Sequence, residues 1–563
     1  MIFKQLDSKV DLASMDREVM DFWNSNRIYE KRVATQAGRQ PWTFIDGPIT
    51  ANNPMGVHHA WGRTYKDLWA RYWFMQGREV RNQNGFDCQG LWIEVEVEKE
   101  LGFKSKRDIE RYGVAEFVKK CKQRVLEFSA VQTEQSIRLG MWTDWNSPTE
   151  LRKLKEAMET PMRETTYVGT HGPVSGTAEE LVGKLGSREL GGSYYTLSDE
   201  NNYMIWSVLK KLHERGLIYK GHDAMPWCPR CSTGISQHEI VTEGYREITH
   251  PSVYLRFPLR GREGRLLLWT TTPWTLTSNV AVAVHPELDY VKVSHKDELL
   301  YLSKGTLSTV FPDGGYEVLE ELKGAEMLDW SYDGPYDELE LPKSLGVPKA
   351  HRIISWEEVG ETEGTGMVHI APGAGKEDYE LGIKNNLPVV GPLDEYGIFK
   401  EGLGELSKTH VYDSPLTIFD NLKDKGFLFR VQDYTHRYPV CWRCGSELVF
   451  LHAEEWFINM GRGIDKPFDE ITEKEKETNL RYQMMDSAKQ ARWIPEFGLS
   501  RELDWLKNMQ DWMISKKRYY GLALPIWTCP DCNWFDVVGS KEDLEQRAIS
   551  GWEEFNGHSP HKP

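Results

Sequence analysis

Two C-x-x-C pairs, Cys228-Pro229-Arg230-Cys231 and Cys441-Trp442-Arg443-Cys444, are separated by the 209 residues 232–440. Each pair presents two thiolates from one tight turn, which is half of a tetrahedral zinc site. The separation is too long for a compact finger. If both halves serve one ion, the chain leaves at Cys231, folds a whole domain and returns at Cys441, as at a stalk where an inserted domain departs from its host. Unrelated surface turns or redox pairs are the competing reading. A third pair, Cys529-Pro530-Asp531-Cys532, has no remaining partner pair in the sequence. Its partners lie in another chain, or it binds no metal. Cys88 and Cys121 stand alone and read as core thiols.

No apolar run approaches the roughly 20 residues needed to cross a bilayer, and Lys4, Asp7 and Lys9 leave no signal-peptide core. A cytoplasmic location is expected, which favours metal over disulfides at the paired cysteines. At 563 residues the chain needs two to four domains. A net charge of -16 argues against a generally basic surface. It does not exclude RNA, because phosphate binding depends on local patches. The 22 tryptophans suggest large aromatic cores.

Leu12, Met15, Val19, Phe22 and Trp23 recur at helical spacing, so residues 10–33 read as an amphipathic helix. Trp42–Ile45 reads as a short buried strand. A Gly/Pro/Asn loop from Asp46 to Gly56 and a helix from about His58 to Gln76 follow. Strand, loop and helix in that order open a nucleotide-binding α/β unit, with the ligand at the strand's carboxyl end. Residues 148–193, rich in glycine, read as an inserted, partly mobile decoration. Alternating runs such as Ser252–Phe257 and Val280–Val284 make residues 241–432 β-rich.

Within that β-rich stretch, Trp269-Thr270-Thr271-Thr272-Pro273-Trp274-Thr275 supplies three consecutive hydroxyls. The later Gly364-Thr365-Gly366-Met367-Val368-His369-Ile370-Ala371-Pro372-Gly373 and Asp378 add a glycine-rich turn, an imidazole and a carboxylate. Together they describe a small polar pocket suited to testing and hydrolysing a small substrate. Alone, the threonines would read as an ordinary strand.

These segments resemble the proofreading domain of isoleucyl-type class I aminoacyl-tRNA synthetases. Asp46-Gly-Pro-Ile-Thr-Ala-Asn-Asn-Pro-Met-Gly-Val-His-His59 resembles the family's first ATP-binding signature. The family pattern there is His-x-Gly-His; this chain has Gly56-Val57-His58-His59, so only His59 matches. Gly85–Glu94 and Asn508–Trp527 also resemble family segments around the amino-acid pocket. Lys517 and Tyr520 stand where the family usually has Gln and Trp.

The resemblance implies an α/β fold, a Rossmann-type class I catalytic domain interrupted by a β-rich editing (CP1) domain on a zinc-bound stalk. The expected divisions are 1–225 for the amino-terminal helix and first catalytic half, 226–240 and 436–450 for the stalk, 241–435 for editing, and 451–563 for an incomplete second catalytic part. It implies ATP with Mg2+ at Asn52, Asn53, Gly56, His58 and His59, the two histidines being catalytic, and isoleucine at Gly47, Pro48, Asp87, Lys517 and Tyr520. Thr270, Thr271 and Thr272 would hold the terminal adenosine and ester of tRNA(Ile), Asn279 the strand, His369 the pocket wall and Asp378 the misattached ammonium. Zn2+ would sit on Cys228, Cys231, Cys441 and Cys444.

A pocket that rejects a side chain one methylene smaller only weakly needs such a second, hydrolytic site. The family's second signature, Lys-Met-Ser-Lys-Ser, has no counterpart in this sequence, which stops at Gly557–Pro563 without a helical anticodon-binding bundle. An amino-terminal part of a synthetase is therefore expected, truncated or completed by a second chain. A free-standing editing deacylase and a valyl-type synthetase are the alternatives, with a non-catalytic RNA-binding module as a weaker one.

Overall fold

The computed structural model describes residues 9, 11–236, 239–240, 244–461, 463 and 466–555. Lys4, Asp7 and the segment 557–563 lie outside the described residues. The chain divides into two compact units, residues 1–218 with 518–563, and residues 219–517.

The first unit opens with α1 (Leu12–Ser25) and α2 (Ile28–Gln36), where one helix was expected. Arg27 in the left-handed region, φ 49°, breaks it. The apolar residues of α1 are not a core face, since none of its residues is buried. Next come β1 (Pro41–Ile45), β2 (Ile49–Thr50), α3 (Val57–Met75), β3 (Glu79–Gln83) and β4 (Gly85–Asp87). Helices α4 (Leu91–Leu101), α5 (Arg107–Tyr112), α6 (Val114–Arg138) and α7 (Pro148–Ala157) lead to the hairpin β5 (Glu164–Gly169) and β6 (Gly172–Thr177). Then follow α8 (Ala178–Gly183), β7 (Tyr194–Tyr195) and α9 (Asp199–Glu214).

β1 pairs in parallel with β3, from Pro41↔Glu79 to Ile45↔Gln83. In a separate three-stranded sheet, β4 runs parallel to β2 on one side and to β7 on the other. Right-handed strand–helix–strand units of this kind put loops at the strands' carboxyl ends. β1 is half-exposed rather than buried, with Ile45 63% accessible.

The glycine-rich segment 148–193 is integral to this unit. Ser147 caps α7 ahead of Pro148, and Thr177 and Glu180 form a reciprocal cap on α8. Leu151, Leu154, Tyr167, Leu181, Leu185 and Leu190 join the main core of the unit. Local turn chemistry announced a loop here; long-range burial made it structure.

The second unit contains β8 (Ile218–Cys228, its first residue at the boundary), β9 (Thr233–Gly234), β10 (Tyr245–Pro258), β11 (Arg265–Thr270), β12 (Ala281–Val284), β13 (Asp289–His295) and β14 (Glu298–Ser303). It continues with β15 (Glu317–Lys323), β16 (Ile353–Ser355), β17 (Val368–Ile370), β18 (Leu428–Pro439), β19 (Val449–Ile458) and β20 (Trp512–Met513). Three sheets result, ordered β15-β13-β14-β11-β10-β18, β16-β12-β17 and β20-β19-β8-β9. The first carries a long antiparallel ribbon, β10 on β18, from Tyr245↔Pro439 to Leu255↔Leu428.

This division differs from the expected one. Pairing of β8 with β19, and of β19 with β20, joins residues 219–240 and 449–517 to each other, and a shared core of Met225, Trp227, Val449 and Leu451 with Val253 and Leu268 places them with the β-rich part. Nor do the tryptophans mainly fill cores: among the described residues only Trp206, Trp227 and Trp274 are buried. No described helix is long and apolar enough to cross a membrane.

Candidate functional site

The loop after β1 is gripped by α6. Arg124 Nε donates to Asn52 O at 2.9 Å and Nη2 to Asn53 Oδ1 at 2.9 Å. Gln132 Nε2 donates to Thr50 O at 2.9 Å and to Asn53 O at 2.8 Å, while Met55 N–H donates to Gln135 Oε1 at 2.8 Å. Arg124 is itself held by Glu100. Gly47 O accepts from Lys66 at 3.1 Å, and Lys66 also pairs with Asp46. Pro48 follows in the same turn between β1 and β2. The loop is thus preorganised before any ligand arrives.

At the start of α3, Gly56 N–H donates to His59 Nδ1 at 3.1 Å. That leaves the proton of neutral His59 on Nε2, a donor. Burial, then His58 and Arg63, lower the His59 pKa below its usual value. The His58 and His59 rings lie 3.9 Å apart between centroids. The imidazole absent at position 56 has a replacement in space, because His58 folds back over Gly56. A helix amino terminus with two imidazoles and no acidic residue in its first turn suits an anion such as a phosphate.

Asp87 ends β4, paired with Thr50 of β2 in the three-stranded sheet β2-β4-β7. Its carboxylate accepts from Thr50 Oγ1 at 3.2 Å and from Thr196 Oγ1 at 3.4 Å. Burial raises its pKa, so a cationic partner would be favoured there. Tyr520 is fully buried in the core of this unit, where its N–H donates to Glu94. Lys517 belongs to the second unit, where it pairs with Glu395 and lies 5.9 Å from the Trp227 ring centre.

In the second unit, β11 ends at Thr270 and the chain turns into a short helix at Pro273–Ser278. Thr272 N–H donates to Thr270 Oγ1 at 3.1 Å, and the two hydroxyls are 3.3 Å apart. Thr272 Oγ1 is 3.5 Å from Thr275 Oγ1, which donates to Thr272 O at 2.8 Å. Having given its proton away, Thr275 Oγ1 accepts from His369 Nε2 at 3.0 Å. His369 is placed by the pairing of β12 with β17, opposite Val282. Burial lowers its pKa to about 4, so the ring is neutral.

Asp378, on the helix Lys376–Lys384, accepts from Ala371 N–H at 2.7 Å. Burial raises its pKa to about 6. Asn279 is structural: Nδ2 donates to Ala281 O at 3.0 Å and Oδ1 accepts from Tyr332 at 2.8 Å. Thr271 and Thr272 line a cavity of about 470 Å3 with His250, Trp274, Tyr412 and Glu447. His369 and Asp378 are not on its wall. Hydrogen bonds therefore unite Thr270, Thr272 and His369 through Thr275, which the sequence reading quoted but gave no role.

The ligand-type sulfur atoms of Cys228, Cys231, Cys441 and Cys444 all lie within 4.8 Å of one another. Cys228 Sγ and Cys444 Sγ are 3.5 Å apart. Four thiolates about 2.3 Å from one zinc would stand about 3.8 Å from each other, so the cluster fits. Hydrogen bonds from Cys228 and Cys231 lower the Cys441 thiol to about 7 and hold Cys444 well below the usual range. Cys529 and Cys532 form no such cluster among the described residues.

The family described as tRNA synthetases class I (I, L, M and V) matches residues 18–166 and 175–556. The gap, 167–174, is the tip of the β5–β6 hairpin. A Clostridium tetani protein named isoleucine–tRNA ligase is 34% identical over 564 residues, covering 100% of this chain and 48% of its own length. The Streptomyces coelicolor protein of the same name is 33% identical over 566 residues, 100% of this chain and 47% of its own. That of Methanothermobacter marburgensis is 34% identical over 551 residues, 98% and 46%. The chain spans about half the length of the curated relatives it matches.

Proposed function

The chain belongs to the class I tRNA synthetases (I, L, M and V), and from that membership we propose that it is part of an enzyme that ligates isoleucine to tRNA(Ile) with ATP. On this reading residues 46–59 bind ATP with Mg2+, the His59 Nε2–H and the α3 amino terminus facing the phosphates. Asp87 holds the ammonium of isoleucine, and Gly47 and Pro48 wall its side chain. Tyr520 belongs to the pocket-closing segment by resemblance. The second unit then hydrolyses Val-tRNA(Ile), and the four cysteines hold a structural zinc at the base of the β10–β18 ribbon. The setting is cytoplasmic.

The observation that carries the editing part is the hydrogen-bonded run Thr270–Thr272–Thr275–His369 within one unit. Neutral His369 cannot act as a cation. It fixes the Thr275 hydroxyl, and through it the threonine run that would bind the terminal adenosine and place water on the ester. Asp378, costly to bury as an anion, gains most from a ligand ammonium. His369 Nδ1 has no hydrogen-bond partner, but burial makes it a weak base, its pKa lowered to about 4, so on this reading positioning and the hydroxyl dipoles carry the chemistry.

The test measures two reactions with the 563-residue chain. ATP–pyrophosphate exchange is expected to be little or none, and Val-tRNA(Ile) deacylation measurable and lost in Asp378→Ala. Full-rate deacylation by that variant would overturn the pocket. The second reading, a free-standing deacylase, is favoured by the assembly of all the editing residues in one unit. Recovery of exchange on adding the other half of a synthetase would exclude it.

A further inference from the structure

We infer that the cavity between α2, β3 and the tip of the β5–β6 hairpin is a ligand site, and that its ligand is a small molecule carrying an oxyanion, phosphate or carboxylate, on a body with hydroxyl or amino hydrogens. The inference rests on neither the family match nor the proposed reactions.

The cavity has a volume of about 810 Å3 and lies within the first unit. That is the size of a small-molecule site. None of residues 46–59 lines it, so it is separate from the phosphate-facing loop. His171 lines it from the hairpin tip, in the stretch 167–174 that the family match omits.

On its wall, Arg32 is 6% accessible, yet Nε and Nη1 have no hydrogen-bond partner. Its guanidinium carbon lies 5.0 Å from the Tyr29 ring centre and 5.2 Å from those of Phe74 and Trp142. The rings offset part of the cost of burying the charge, and the Tyr29 phenol is at most a neutral acceptor. Asp67, which acts on Arg32 from further away, is engaged by Arg71 and by Trp142 N–H. Burial lowers the Arg32 pKa, as expected of a cation short of counter-charge. A buried guanidinium without an anion is costly, and an oxyanion is its natural complement.

Gln36 and Asn82, 5% and 6% accessible, line the same cavity. Gln36 Nε2 donates to Phe74 O at 2.6 Å and Asn82 Nδ2 to Trp142 O at 3.4 Å. Those bonds orient both amides and leave Gln36 Oε1 and Asn82 Oδ1 without a partner. Buried polar atoms are nearly always satisfied, so a cation and two acceptors orphaned around one cavity call for a ligand. Its oxygens would meet Arg32, and its O–H or N–H groups the two amides. Water alone would serve the amides but leave the charge uncompensated.

Arginines and acids are equally represented on this wall, Arg32, Arg81 and Arg188 against Glu79, Asp144 and Glu200. All but Arg32 are exposed. Glu79 accepts from Gly38 N–H at 2.8 Å, and Asp144 from Thr170 Oγ1 at 2.7 Å and Gly192 N–H at 3.2 Å. The uncompensated charge is therefore the buried one, and the anion belongs against Arg32.

The probes are ribose 5-phosphate and gluconate, with ribose as the uncharged control, titrated calorimetrically into the 563-residue chain. One-to-one binding of at least one anion is expected, with ribose silent and amide exchange slowed at Val80, Asn82 and residues 186–192. Binding of ribose 5-phosphate alone assigns a phosphate, and of gluconate alone a carboxylate. Arg32→Met keeps an unbranched side chain against the rings and should weaken binding about tenfold or more without lowering the melting temperature. Gln36→Glu puts a carboxylate one helical turn from Arg32. It should raise the melting temperature and abolish anion binding, and it decides the matter alone if Arg32→Met does not fold. His59→Gln should bind as the parent does. Binding of neither anion, equal binding of ribose, parental affinity in Gln36→Glu, loss with His59→Gln, or protection confined to other residues would each overturn the inference. Neither aminoacylation nor deacylation is read, so loss of the proposed function would leave this result standing.

Discussion

His58 occupies the space into which a side chain at Gly56 would project: a Cβ on residue 56 would lie 2.9 Å from His58 Cε1. The two positions have exchanged roles, the imidazole being supplied from 58 and the room for it from 56.

The exchange is testable through His59. The charge of protonated His58 is the second cause, after burial, of the lowered His59 pKa. His58→Gln should raise it towards the usual histidine value. Gly56→Ala, which pushes the His58 ring away, should act in the same direction more weakly. Proton NMR titration of the ring signals reads both, and an unmoved His59 would refute the contact.

Asp378 should weaken the fold where it serves the site. Its folded pKa is raised from 3.8 to about 6 by burial. Its stabilising contribution is therefore present below the unfolded value and lost as pH rises through 6. Asp378→Asn is expected to stabilise the second unit at pH 8 by about 2–3 kcal/mol and to be neutral near pH 3. Urea unfolding at the two pH values measures this; equal effects at both would show the carboxylate is not perturbed.

Thr275→Val removes the acceptor of His369 Nε2–H while keeping the shape. An unsatisfied buried donor costs about 1–3 kcal/mol. Deacylation should fall with it, and Thr275→Ser should recover both stability and rate. A valine variant as stable as the parent would mean that His369 finds another acceptor.

One zinc per chain is expected by elemental analysis. Cys444→Ser should abolish it and lower the urea midpoint of the second unit, since metal-binding free energy is folding free energy. Cys529→Ser should leave the stoichiometry unchanged. Zinc lost in both variants would place the ion elsewhere.

Glu94 closes the first unit over a span of more than four hundred residues. Its Oε1 accepts from Tyr519 N–H at 2.6 Å and Tyr520 N–H at 2.5 Å, and Oε2 pairs with buried Lys106. Glu94→Gln keeps an acceptor but strands the Lys106 charge, at a cost of about 3–5 kcal/mol. Lys106→Met added to it should recover most of the loss in urea unfolding. No recovery would mean that the backbone bonds carry the effect.

Much of the site was legible because its signals are short-range. The order of β1, its loop and α3 followed from periodicity and turn residues, and the cysteine cluster from two spacings. Long-range pairing was not legible. Nothing in residues 219–240 or 449–517 says that β8 and β19 meet, so the unit boundary fell elsewhere. The sequence reading placed a helix at about 58–76 but said nothing of which residues it buries; the structure buries Arg63, Asp67 and Ala70. The role of Thr275 required the β12–β17 register that puts His369 against it.

Arg124, Gln132 and Gln135 mostly grip main-chain atoms of residues 50–55, so the shape of that loop is written in α6 rather than in its own side chains. Substitutions inside the loop can then alter what it recognises without altering where its backbone runs. Shape and chemistry become separately heritable. A change as drastic as moving an imidazole two residues along the motif can be sampled without first dismantling the scaffold.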